Sequence, residues 1–175
     1  MKPLTGARRE RNLDPMQTRE HHLELARLAD APVIAGMSAR LIEAGLTPSW
    51  PAERVARHIR NADSLVLTAR RSGRILGFAI MQYGDTAAHL NLLAVDPASR
   101  RRGIGRGLLV WLEETALVAG TFLIQLELRA SNATARAFYE AQGYRESGRV
   151  AGYYQRLEDA IQMGRNLAVG TGQPS

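Results

Sequence analysis

Residues 93–109 read LAVDPASRRRGIGRGLL, and the way this stretch divides into elements decides the fold. Leu93, Ala94 and Val95 close an apolar run, and Asp96-Pro97 ends it, because proline cannot donate to a strand ladder. Arg100, Arg101 and Arg102 follow, then Gly103, Gly105 and Gly107 alternate with Ile104 and Arg106 before leucines resume. The parse is strand, tight turn, helix. Glycines there let the chain turn sharply and let backbone N–H groups approach a ligand. The free N–H groups and dipole of a first helical turn favour an anion, and guanidiniums can hold peripheral phosphates. At this point the loop reads as a pyrophosphate cradle, a nucleic-acid patch or a basic turn without a ligand. A nucleotide-hydrolysing P-loop fits poorly, since no Gly-Lys-Ser/Thr follows. A dinucleotide fingerprint wants Gly-x-Gly-x-x-Gly, whereas the loop supplies Gly-x-Gly-x-Gly.

Working outward, residues 21–30 (HHLELARLAD) alternate weakly as a first strand. Residues 31–46 place Val33, Met37, Leu41 and Ala44 at helical spacing, with Gly45 as the stop, and a second helix follows with Ser49 as its N-cap and Val55, Ile59 and Ala62 on one side. The runs SLVLTAR and RILGFAIMQYG flank Ser72-Gly73, which predicts an antiparallel hairpin; Ala87 to Val95 makes a third strand. After the glycine loop, Leu108, Leu109, Leu112 and Ala116 mark a long helix ending near Gly120. In TFLIQLELRAS, Phe122, Ile124, Leu126 and Leu128 face one way, while Leu123, Gln125, Glu127 and Arg129 face the other. Asn132 caps a helix that stops at Gly143, and two strands with a connection near residues 155–159 finish the chain. The order β-α-α-β-β-β-α-β-α-β-β predicts an α/β fold of the α+β type. It has a mixed, mostly antiparallel sheet of about seven strands, with one parallel crossover through the long helix.

The 175 residues, 45% of them hydrophobic, suit one domain, expected over 19–170 between a loosely ordered polar arm (1–18) and a short tail (171–175). With no cysteine, disulfides and thiolate chemistry are ruled out. The apolar runs fall short of the roughly 18 to 20 residues that span a bilayer, and no signal-peptide core is evident, so a cytoplasmic protein without membrane partners is expected. The formal charge of +6 asks for an anionic partner. Basic residues cluster at Arg8, Arg9 and Arg11 and at Arg100, Arg101, Arg102 and Arg106; without interleaved aromatic residues, nucleic acid is a poor fit. His21, His22, His58 and His89 show no metal-ligand spacing, and no metal is expected.

In context, residues 93–109 resemble the acyl-CoA-binding motif of the GNAT superfamily of N-acetyltransferases, Gln/Arg-x-x-Gly-x-Gly/Ala, filled by Arg100, Gly103 and Gly105. The likeness extends through LELRASNATARAFYEAQGY and GRVAGYYQRLEDAIQM, roughly residues 46–168 in all. There it is similar to the bacterial RimI type, which acetylates the N-terminal alanine of a small-subunit ribosomal protein. The resemblance implies acetyl-CoA as co-substrate and helices on both faces of the sheet. Leu93, Ala94 and Val95 would pair with the pantetheine arm, and Arg101, Arg102, Gly103, Ile104, Gly105 and Arg106 would cradle the pyrophosphate. An N–H near Val95 would face the thioester oxyanion, Asn132 would bond the CoA arm, Glu127 would be the general base, and Tyr139 would protonate the departing thiolate.

The residues themselves allow plainer readings: Glu127 exposed or paired with Arg129, Asn132 as a helix cap, Tyr139 as packing. Asn132 and Tyr139 lie close to two helical turns apart, which favours a shared neighbour. Tyr153, Tyr154 and Trp50 divide evenly between acceptor groove and core. An α-amine has a pKa of about 7.7 to 8.0 against about 10.4 for lysine, so a peptide N-terminus, attacking directly in a ternary complex, is the expected acceptor. The extra N-terminal arm and the short connection after GYY depart from the RimI pattern. Small-molecule amines, a noncatalytic acyl-CoA module and an RNA-binding domain stay open, as does a monomer against a homodimer.

Overall fold

A computed structural model describes residues 21–170; the expected arm and tail lie outside the described residues. Elements change where the apolar period changes. They are β1 (His22–Leu25), α1 (Ala31–Leu41), α2 (Ala52–Arg60), β2 (Ser64–Arg71), β3 (Arg74–Tyr83), β4 (Ala88–Val95), α3 (Ile104–Val118), β5 (Leu123–Arg129), α4 (Ala133–Ala141), β6 (Arg145–Tyr154) and β7 (Glu158–Asn166). The expected element order holds throughout. The seven strands form one sheet, β1-β2-β3-β4-β5-β7-β6, in which only β4 and β5 run parallel. The β2–β3 hairpin turns at Ser72 (φ 49°) and Gly73 (φ 77°), two left-handed residues whose twist matches that of the flanking strands.

Each face of the sheet buries its own core. Ile104, Leu108, Leu109, Leu112 and Ala116 of α3 cover Leu67, Ala79, Met81 and Ile124 on one side. Ile34 and Met37 of α1, Val55 of α2 and Trp50 cover Val66, Phe78, Ile80 and Leu92 on the other. Each fully buried Leu, Ile, Val, Phe or Met among them contributes about 1.5–3 kcal/mol. Pairing of β3 with β4 skips Asn91: Ile80 opposes Leu92 and Met81 opposes Leu90. That one-residue bulge reverses the side-chain alternation, so Ala88 and Leu90 enter the first core while Leu92 and Ala94 enter the second.

Several boundaries differ from the sequence reading. β1 ends at Leu25, because Asp30 accepts from the Arg27 N–H (2.8 Å) and pairs with Arg70 (2.7 Å), turning the chain inward before α1. Helix α1 faces the sheet through Ile34, Met37 and Ser38, leaving Val33 50% exposed, and it stops at Leu41 rather than near Gly45. Ser49 does not cap α2, whose N-cap is Pro51; its N–H and its hydroxyl both donate to Glu43 Oε1. Phe122 precedes β5 and is 49% exposed, so the buried face of that strand is Ile124, Leu126 and Leu128.

Candidate active site

The two parallel strands pair only at Ala88↔Ile124 and His89↔Gln125 and then part. The bulge at Asn91 lies just beyond the last pair, where a kink redirects β4. Between the separated halves opens a cleft of ≈ 810 Å³. Asp96 N–H donates to Leu76 in β3; with the two-residue period of a strand, Leu93 and Val95 therefore turn their N–H and C=O groups away from β3, into the cleft. Among the described residues this strand edge has no strand partner, and Arg100 Nε donates to its Val95 carbonyl (3.3 Å). Leu93, Ala94 and Val95 all line the cleft.

At the wide end, Arg101 (φ 61°) and Gly103 (φ 74°) are left-handed, and they swing the chain from the short turn after β4 into α3. Such a φ is natural for glycine and costs an arginine about 1–2 kcal/mol. The first backbone hydrogen bond of α3 is Gly107 N–H to Gly103 C=O. Among the described residues, none accepts from the backbone N–H groups of residues 101–106. Arg100, Arg101, Gly103, Ile104, Gly105 and Arg106 line the cleft here; Arg102 is exposed and outside that lining. A run of free N–H groups at a helix start, flanked by guanidiniums, is an anion site.

From the opposite wall come Glu127 of β5, Asn132 and Tyr139. Asn132 Oδ1 caps α4 by accepting from the Ala135 N–H at 3.0 Å, and the side chain still borders the cleft. Tyr139 is 7% exposed, packed edge-on against Phe138 and Tyr144, and no described residue hydrogen-bonds its hydroxyl. Burial first, then the neighbouring Tyr154, push that hydroxyl well above the usual tyrosine range, so it stays protonated.

Glu127 is not paired with Arg129, which instead bonds Glu158 (2.6 Å) and the Ala44 carbonyl (2.6 Å). Its partner is His89, whose Nε2 meets Glu127 Oε2, while Nδ1 lies 3.1 Å from Asn91 Oδ1. The His89 bond holds the Glu127 carboxyl below the ordinary range, against burial, with Gln162 assisting. His89 is correspondingly held above 6.5, chiefly by Glu127. Sequence reasoning missed this pair, since a strand histidine 38 residues from its carboxylate leaves no local pattern.

Beside the cleft, two loops are bridged. Gln155, in the β6–β7 turn, accepts from the Thr47 N–H (3.0 Å) and donates to the Thr47 carbonyl (2.6 Å), tying that turn to the α1–α2 loop. Tyr154, Leu41 and Ile42 line the cleft beneath, whereas Tyr153 is 48% exposed. Trp50 is core, 7% exposed under the Arg54 guanidinium (3.9 Å). Among the described residues no cluster of His, Asp or Glu is arranged to hold a metal ion.

The model of the acetyltransferase (GNAT) domain matches residues 35–153. The chain is 44% identical over 103 residues to the ribosomal protein bS18-alanine N-acetyltransferase of Salmonella typhimurium, covering 57% of this chain and 68% of that one. Against its counterpart in Escherichia coli K12, identity is 41% over 96 residues, covering 53% and 65%. The chain thus aligns with about two thirds of the length of these relatives. In three dimensions it is similar to the crystal structure of the ribosomal-protein-S18-alanine N-acetyltransferase from Escherichia coli. The TM-score is 0.72 at 31% identity, covering 84% of this chain and 94% of that one.

Proposed function

This chain belongs to the GNAT acetyltransferase family, and from that premise we propose that it transfers the acetyl group of acetyl-CoA to the α-amine of a protein or peptide N-terminus. A ribosomal-protein N-terminus is the first candidate, on the strength of relatives at 44% and 41% identity that are named for that activity. The observation that carries the reading is the open β4 edge, leading from the free N–H groups of residues 101–106 toward Glu127.

The residues fit acetyl-CoA part by part. Backbone N–H groups and the flanking Arg101 and Arg106 suit a pyrophosphate, while Leu93 and Val95 offer amide-pairing groups to an extended arm. Acetyl-CoA supplies an acyl group activated as a thioester. The Val95 N–H, aimed into the cleft, is placed to stabilise negative charge on the acyl oxygen. Asn132 borders the arm while capping α4. Glu127, on the opposite wall, takes the proton from the incoming ammonium so that the amine can attack directly. Tyr139, neutral and without an internal partner, donates toward the leaving sulfur. The low basicity of an α-amine compared with lysine suits a site with one carboxylate.

The test is thiol release from acetyl-CoA with a panel of N-terminal peptides, polyamines and aminoglycosides. N-terminal peptides should react, and Glu127→Gln should lower kcat roughly 10²–10⁴-fold while the KM for acetyl-CoA stays within a few-fold. Turnover of small amines with every peptide untouched overturns the acceptor. Acetyl-CoA binding without any thiol release would mean a noncatalytic module.

A further inference from the structure

The cleft gives Glu127 a task but leaves His89 without one. His89 is the last β4 residue still paired with β5, at the vertex from which the strands part, and Glu127 stands two residues beyond its register partner Gln125. The ring therefore sits behind the carboxylate: Glu127 lines the cleft and His89 does not. The His89 side chain is 42% exposed and that of Glu127 16%, so the pair runs from the cleft wall to solvent.

Hydrogen counting defines what the pair can do. Asn91 Oδ1 can only accept, so His89 Nδ1 carries a hydrogen. Nε2 then carries a second hydrogen only in the imidazolium. Without it, a nitrogen lone pair faces a carboxylate lone pair in a half-buried site, an arrangement that favours uptake of one proton. The two groups titrate together.

We propose that His89 and Glu127 are a single proton-accepting unit, in which Glu127 receives the proton of the incoming ammonium and His89 Nε2 takes it over and releases it to solvent. This rests on the acetyltransferase reading above. The step balances: R–NH3⁺ with carboxylate and neutral imidazole gives R–NH2 with carboxylate and imidazolium, and a buffer base then removes the proton from the exposed ring. One N–H bond of the ammonium breaks, an O–H bond on Glu127 forms and breaks in passing, and the N–H bond of the imidazolium forms and then breaks to the buffer base. His89 acts through Glu127 and is a positioning and relay residue.

The surroundings leave this proton to the pair. Gln82 of β3 faces His89, and Asn91 lies on its own strand. Gln162 of β7 bonds Glu127. Tyr153 and Tyr154 of β6 are held above the ordinary tyrosine value, first by burial, and stay neutral where a histidine titrates. Arg54 of α2 acts on Tyr153, and Arg129 and Glu158 neutralise one another. The acid limb of kcat/KM should accordingly lie above 6.5, the ordinary value of histidine, rather than in the carboxylate range.

The experiment combines pH profiles with NMR titration of the His89 ring in the full chain. In His89→Gln, whose amide can still donate to Glu127, kcat/KM at neutral pH should drop roughly tenfold and the acid limb should move more than one pH unit lower. A limb that stays in place reduces His89 to a structural hydrogen bond and overturns the proposal. The His89 midpoint should lie above 6.5 in the parent chain and fall in Glu127→Gln; the same midpoint in both overturns the unit. If no amine reacts while His89 still titrates with Glu127, the acetyltransferase reading and the proton route both fall, and only the pairing survives.

Discussion

Tyr139 lies on α4 with its ring held between Phe138 and Tyr144 and its hydroxyl free of internal partners. A buried phenol held well above its ordinary pKa is a reluctant acid, yet it is always a hydrogen-bond donor. Such a group stabilises a departing thiolate by donating to it, and full proton transfer follows only as the sulfur becomes basic enough. Tyr139→Phe keeps the ring and its packing and removes only the donor. We expect kcat to fall roughly 10–100-fold while the dissociation constant of acetyl-CoA, measured by calorimetry, changes less than threefold. Equal losses in both would make Tyr139 a binding residue. Residues whose work is set by local pattern were legible in the sequence: Asn132 caps the helix it was expected to cap, and Gly103 takes the left-handed turn. His89 was not, because its role arises only where two strands distant in sequence meet and part.

Among the elements, the β6–β7 turn adjoins the cleft through Tyr154, which lines it. Gln155 (φ 56°) and Arg156 (φ 62°) both occupy left-handed backbone without a glycine, a cost of about 1–2 kcal/mol each. The paired hydrogen bonds between Gln155 and Thr47 offset part of that cost and fix the turn against the α1–α2 loop. Gln155→Ala removes both bonds and leaves the cofactor loop untouched. The KM for an acceptor peptide should rise several-fold at unchanged KM for acetyl-CoA, in steady-state assays varying each substrate. An unchanged peptide KM would assign the clasp to stability alone. Periodicity and turn residues fixed which elements exist and their order, since those are local choices. They did not reveal the Asn91 bulge or the buried stripe of α1, because both depend on which face the neighbouring strand presents.

Across the whole molecule, ion pairs join elements far apart in sequence. Arg70 of β2 holds Asp30 ahead of α1, and Arg129 of β5 holds Glu158 of β7. For Asp30, burial alone would raise the carboxyl, but Arg70 and the Arg27 N–H bring it below 3.8; for Glu158, Ser131 and Arg129 bring it down to about 2. A carboxylate whose folded pKa is depressed adds stability that is complete above its unfolded value, near 3.8 for Asp30 and 4.5 for Glu158, and is lost as pH falls through the folded one. His89 works in the opposite sense: raised above 6.5, it adds stability that is complete below that value and fades as pH climbs past the folded pKa. The thermal midpoint, followed by calorimetry, should therefore fall steeply between about pH 4.5 and about pH 2 and drift down gently on the alkaline side. Arg70→Leu should lower the midpoint at neutral pH and flatten the acid slope, since Asp30, left with only the Arg27 N–H and charge against its burial, loses the larger part of what depresses its pKa. A variant with a lower midpoint and an unchanged acid slope would mean that Arg70 stabilises by packing its stem, and that the acid sensitivity resides in Glu158.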